Sequence, residues 1–306
     1  MFIIIMTQIL KMLLLLGTGI LCFRTGLVDQ KGNRSLSNIL LNVVSPALAI
    51  SSLQIEYRTD LIQGLAATYA MAVFTHVLFI TLATLLIRKK DNPHFDLERF
   101  TVIYSNCGFI GIPLVQSVLG AEGVFYLTAY ITVFNLFSWT HGILLMSGKS
   151  SPKEAVKGLL TPMIVACILG LVLFLTQVRL PAVLGDSLNY LASMNTPLAM
   201  LIAGVSVAQT DLVRMLKNVR VYMVSLIRLV LLPLFVLVVL VFLPVPYTAK
   251  MVVMIVSACP TATSGTTFSL RFGKDYRYAS ELYTFTTVTC LLTIPLFVTA
   301  GDYLFR

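Results

Sequence analysis

The chain has 306 residues, 58% hydrophobic and 11% charged, with a mean hydropathy of +0.91. A soluble domain carries about 25% charge, so this composition excludes a soluble globular protein and puts nearly the whole chain in or near a bilayer. The net charge of +9 comes without basic runs interleaved with aromatics, which argues against nucleic acid as a partner.

A membrane span needs about 20 apolar residues, and the hydrophobic runs predict ten. The first, 2–22, has no basic region ahead of its apolar run and is read as a span, not a signal peptide. Lys11 falls near its middle by count, although an amphipathic start would move it toward the headgroups. The second, 35–55, carries Ser45-Pro46 with Asn42 nearby. The third, 61–87, holds His76. The fourth, 99–119, contains YSNCGFIGIPLVQS, in which Asn106, Gly108, Gly111 and Pro113 weaken a helix at membrane depth. The fifth, 122–147, has Asn135 and Ser138, read as hydrogen-bond partners between helices. The sixth is 155–176. The seventh, 187–208, has Thr196-Pro197 beside Asn195. The eighth, 216–243, places Arg228 midway. The ninth, 247–270, contains ACPTATSGTT, with Pro260 and Gly265 among Thr261, Thr263, Ser264 and Thr266. The tenth is 277–301. The five cysteines form no CxxC pair, so neither a disulfide framework nor a metal site is expected, and no cofactor either.

Lysine and arginine set the orientation. Sixteen lie in connections after odd-numbered spans and four in the other connections and the C-terminus. Odd connections therefore face the cytoplasm and both termini face outside a cell membrane. The two halves also resemble each other. Pro46 and Pro197, Gly19 and Gly170, His76 and Arg228, Cys107 and Cys259, Gly120 and Gly273, and Tyr130 and Tyr283 recur at offsets of 151 to 153 residues. Five spans per half is an odd number, so the second half enters from the opposite side. The predicted fold is an all-α membrane protein of ten transmembrane helices, in two inverted five-helix repeats, 1–147 and 155–306.

Inverted repeats are the architecture of many secondary transporters, whose substrates bind near the midplane at discontinuous helices. Proline removes a helical hydrogen bond and clashes with the preceding turn, at about 3 kcal/mol. Unwound backbone is tolerated at membrane depth only where protein or a water-filled cavity satisfies it. Two repeat-related breaks, in spans four and nine, thus point to a binding site. Their freed helix N-termini carry partial positive charge, which suits an anion. An arginine at a helix centre costs about 2.5–3.5 kcal/mol, so Arg228 is expected to face a cavity or a partner, with an anion-attracting role favoured over pairing with a buried acid or snorkelling. His76, its repeat counterpart, is a weaker candidate. Ser45 and Pro46 are placed on the facing side of the site.

NILLNVVSPALAISSL in span two, SNCGFIGIPLVQSVLG in span four, WTHGILL in span five, the basic residue before LVLLPL in span eight and SACPTATSGTTFSLRFG in span nine together resemble the auxin efflux carrier family. That family includes bacterial permeases described for malate and malonate and the plant PIN carriers. The resemblance implies a scaffold of spans 1, 2, 6 and 7 (2–55 and 155–208) that forms a homodimer. It also implies a mobile transport bundle of spans 3–5 and 8–10 (61–147 and 216–301). The crossed helices fall on Asn106, Gly108, Phe109, Gly111 and Pro113, and on Pro260, Thr261, Thr263, Ser264 and Gly265. The expected substrate is a small organic anion. The short link between spans five and six departs from the PIN pattern and suits a compact permease. A coupling ion, proton or sodium, is left open: deep carboxylates are missing, and only His76 and His141 remain for a proton relay. A sodium symporter of the bile-acid type is the alternative. A membrane enzyme finds no HExxH and no Ser–His–acid set, and a sensor has no signal-like extension.

Overall fold

The computed structural model describes residues 2–90, 92–149 and 160–306. The start of the expected sixth span (155–159), with Lys153 and Lys157 before and within it, lies outside the described residues. Among these, every regular element is helical, apart from one isolated antiparallel bridge between Ser105 and Thr261. The helices are α1 (Phe2–Arg24), α2 (Gln30–Ser52), α3 (Thr59–Leu86), α4 (Phe95–Ile103), α5 (107–119), α6 (121–147), α7 (Pro162–Thr176), α8 (Ala182–Ser193), α9 (Asn195–Ala208), α10 (Leu212–Lys217), α11 (Val219–Phe242), α12 (Tyr247–Ala258), α13 (Ser264–Arg271) and α14 (Tyr276–Leu304). Among the described residues seven helical runs are long and apolar enough to cross a membrane, with α5–α6 counted as one and α8–α9 as one. α7 and α12 are shorter apolar helices.

The boundaries differ from the hydrophobic runs where polar residues start a helix. α2 begins at Gln30 because the Asp29 carboxylate accepts from Gly32 N and caps it, so the polar stretch 30–34 is its first turn and a half. The ninth run is two helices, α12 and α13, with extended backbone between. α5 and α6 are divided at Gly120, whose backbone (φ 64°, ψ −153°) no helix adopts. Gly273, its counterpart in the second half, also has positive φ (65°), a conformation that costs other residues energy.

Four wide π turns occur among the described residues, and three of them end two residues before a proline: 40–44 before Pro46, 107–111 before Pro113 and 227–231 before Pro233, whereas Ser138–Gly142 in α6 has none. Proline clashes with the carbonyl four residues back. In all three cases that carbonyl (Asn42, Phe109, Leu229) lies inside the widened turn, which relieves the clash without ending the helix.

Packing follows membrane rules. α12, apolar but for Thr248, Lys250 and Ser257, is buried from Ala249 to Ala258, held among α3, α5–α6, α11 and α14. Large apolar side chains point outward, Ile3, Leu10 and Leu14 on α1 and Ile168 and Val172 on α7 among them, and exposed Lys11 shares that outer face of α1. α1 lies along α9, and the second half of α2 lies against α7 and α8. At the α1–α9 crossing Gly19 and Gly204 face each other's helix. A Cβ on Gly19 would overlap the Leu201 carbonyl and one on Gly204 the Leu16 carbonyl. Small residues here let the backbones approach closely.

A polar knot joins the start of α4, the start of α11 and the start of α14. Glu98, fully buried, accepts from Arg220 through both oxygens (2.7 and 2.9 Å), from Tyr278 Oη (2.9 Å) and from Asn92 Nδ2 (2.7 Å). Lys274 pairs with Asp96, and Arg214 pairs with Glu281 at 2.9 Å. Arg214, Arg220 and Lys274, three of the sixteen basic residues assigned above to the odd connections, are thus each bound to a carboxylate.

Candidate functional site at the crossing of two broken helices

α4 stops at Ile103, and Tyr104 is extended (φ −96°, ψ 113°). Asn106 then starts α5: its side-chain oxygen accepts from Phe109 N (3.1 Å), and its carbonyl accepts from Ile110 N and Gly111 N. α12 stops at Ala258 because Pro260 disfavours helical backbone at the residue before it, and Cys259 is extended (φ −64°, ψ 153°). The two extended segments cross antiparallel. Asn106 N donates to Pro260 O (2.8 Å), and Ala262 N donates to Tyr104 O (2.9 Å). Only the carbonyl of Pro260 is used, so its missing N–H costs nothing there.

Arg228, on the π turn of α11, reaches the back of this crossing. It is fully buried. Nη1 donates to Val102 O (3.0 Å), Nε to Cys259 O (3.1 Å), and Nη2 to Ser257 O (3.1 Å) and Cys259 O (2.8 Å). Phe79 packs against its face at 5.6 Å. The expectation that Arg228 faces a cavity is therefore corrected: its donors are taken up by the last carbonyls of α4 and α12. These helix ends carry partial negative charge, and a guanidinium, with five donors in a planar fork, can satisfy several carbonyls at once.

In front of the crossing lies a cavity of about 390 Å³, within the range of small-molecule sites, about 300–1,000 Å³. Of the residues expected at the site, Ser45, Asn106, Gly108, Phe109, Thr263 and Ser264 line it. Pro46, Gly111, Pro113, Pro260, Thr261, Gly265, His76 and Arg228 do not. The prolines and the two glycines shape the backbone instead, and Thr261 takes part in the bridge. His76 is buried behind the cavity, with Nδ1–H donating to Ala72 O (2.7 Å) and the rings of Phe137 and Tyr130 at 5.1 and 5.3 Å.

The lining also includes residues that the hydrophobic runs did not mark as site residues. Asn38, Asn42 and Ser45 form a polar stripe along α2, and Asn135, Ser138 and Trp139 face them from α6. Asn135 donates to Ile131 O of its own helix, so it is not the bond between helices that was expected. The three- and four-residue spacing of both sets would have placed them on single helix faces. Ser45 Oγ donates to Asn195 Oδ1 (3.1 Å), which joins the two proline-bearing segments of α2 and α9.

Among the described residues no charged side chain lines the cavity. Its electrostatic character comes from the N-termini of α5 and α13, which open on it at Cys107–Phe109 and Thr263–Ser264. Asn106 Nδ2 and Ser264 Oγ are buried without a hydrogen-bond partner among the described residues. Phe109, Phe134, Trp139 and Phe268 supply apolar walls, Phe268 being held edge-on against Trp139 (5.7 Å) and Phe100 (5.5 Å). The arrangement presents amide, hydroxyl and helix-terminal donors beside aromatic surface, in a multi-pass membrane protein.

A protein so built has the features of a membrane transporter. Residues 4–298 match the family described as membrane transport protein, and the chain belongs to this auxin efflux carrier-like family. A curated relative, an "Uncharacterized transporter" of Methanothermobacter thermautotrophicus (strain Delta H), is 27% identical over 204 residues; the match takes in 65% of this chain and spans 66% of the relative's length.

Proposed function

We propose that the protein is a secondary carrier of small organic anions, carboxylates in particular, that works by alternating access. One observation carries this reading: two broken helices cross, and both renewed N-termini open on one cavity beside the unpartnered Asn106 Nδ2 and Ser264 Oγ. Helix N-termini bind anions through N–H groups and the helix dipole. With no lysine or arginine in the lining among the described residues, the site suits a single carboxylate on an apolar or aromatic body.

Counting α4 with α5 and α12 with α13 as one broken span each, and dividing α5 from α6 at Gly120, gives ten spans. The matched positive φ of Gly120 and Gly273 supports an inverted repeat. In this reading α1, α2 and α7–α9 are the scaffold and dimer surface, and α3–α6 with α11–α14 are the moving bundle. Both termini lie outside the cell.

Counterflow in proteoliposomes, with labelled mono- and dicarboxylates, tests the reading. The expected result is saturable exchange of at least one carboxylate. Asn106→Ala and Ser264→Ala should each lower it by about tenfold, the equivalent of 1.4 kcal/mol. No carboxylate flux above that of protein-free vesicles would overturn it.

A further inference from the structure

Breaking two helices creates four new ends. The two N-terminal ends face the cavity. The two C-terminal ends, of α4 and α12, point their last carbonyls into the protein behind it. Val102 O, Ser257 O and Cys259 O converge there, and Val102, Ser257 and Cys259 are all fully buried. Such a point demands a cation. Discontinuous transporter helices commonly meet that demand with a coupling ion, held by unwound carbonyls and the C-terminal ends of half-helices. Here the three carbonyls are all taken by Arg228. Among the described residues no carboxylate pairs with this arginine; its hydrogen bonds are to main-chain oxygens alone. The guanidinium therefore has no partner of its own to neutralise, and its charge serves the helix ends.

We propose that Arg228 is a resident cation in the place of a coupling ion, so that the crossing is assembled, and the anion bound, without sodium. The transport consequence rests on the carrier reading above; the structural consequence does not. A mobile ion would let the crossing loosen when the ion leaves. A tethered guanidinium, fixed on α11 and bound to both α4 and α12, keeps the two half-helices together through the cycle.

The test measures the unfolding temperature of the purified protein in chlorides of sodium, lithium and choline at equal ionic strength. Wild-type protein is expected to unfold at the same temperature in all three. Arg228→Ala should lower that temperature by at least about 5 °C, and dilute guanidinium ion, small enough to refill the site, should recover part of the loss where choline does not. If Arg228→Ala does not accumulate in folded form, Arg228→Ser takes its place: it is neutral and short, leaves the cation's place open, and should also be stabilised by guanidinium. Sodium-dependent stability of the wild type overturns the proposal. So does a variant that guanidinium stabilises no more than choline does. Counterflow in the same salts separates the two readings: sodium-independent stability with no flux of any carboxylate counts against the carrier alone, whereas flux that requires sodium counts against the resident cation alone.

Discussion

Replacing Arg220 with alanine should destabilise the protein more than replacing Glu98, although Arg220 is 43% exposed and Glu98 not at all. The ranking follows from what each change leaves behind. Without Arg220, the Glu98 carboxylate stays fully buried, with only Tyr278 and Asn92 as donors. An uncompensated buried charge costs about 3–5 kcal/mol. Without Glu98, the guanidinium of Arg220 turns to water at little cost. What is lost is the acceptor for Tyr278 Oη and Asn92 Nδ2, at the low end of about 1–3 kcal/mol for each orphaned group, or about 2–3 kcal/mol together. The double variant should be no worse than Arg220→Ala alone, because the charge that made the single change costly has gone; residues in one network are not additive. Denaturant and thermal unfolding of the four proteins in one detergent gives the cycle. A milder effect for Arg220→Ala than for Glu98→Ala, or additive effects, would refute the assignment of this knot as a buried charge held by its arginine.

At the α1–α9 crossing, Gly204→Val should cost about 1–3 kcal/mol by overpacking and lower the yield of folded protein. Gly185→Ala on α8, where an added Cβ meets nothing within 4 Å, serves as the neutral control in the same expression and unfolding assay. Gly273→Ala should cost about 1–2 kcal/mol through its positive-φ backbone, and asparagine there should recover part of the loss in the same unfolding assay. Gly120→Ala should cost about 1–3 kcal/mol, and asparagine should not rescue it, because φ 64° with ψ −153° is essentially confined to glycine.

The helix breaks were legible because their causes are local. Pro260 acts on Cys259, the residue beside it, and Asn106 caps the turn that follows it, so the positions of both interruptions follow from a few neighbouring residues. The extent of the helices was less so: Gln30–Arg34 looks like loop by hydropathy, and only the Asp29 cap makes it helix. Arg228 could be marked as exceptional from its position in an apolar run, but not assigned its partners. Those are main-chain carbonyls more than twenty residues away on one side and more than a hundred on the other, and backbone oxygens carry no sequence signature. Asn38, Asn42 and Asn135 had the spacing of a polar helix face, yet which neighbour such a face meets depends on how α2 and α6 pack. Glu98 sat in the polar link ahead of span four, where burial is the least expected outcome for a carboxylate.

The bridge at Asn106–Pro260 and Tyr104–Ala262 is made wholly of backbone groups. It places no demand on side chains at the residues it joins, beyond a free N–H at Asn106 and Ala262. Side chains beside it, such as Thr263 and Ser264, can therefore be exchanged while the join that aligns the two half-helices stays as it is. In the proposed carrier, recognition and mechanical continuity are separable within the same few residues, so that a new cargo can be acquired by substitution in the cavity without rebuilding the machine that moves it.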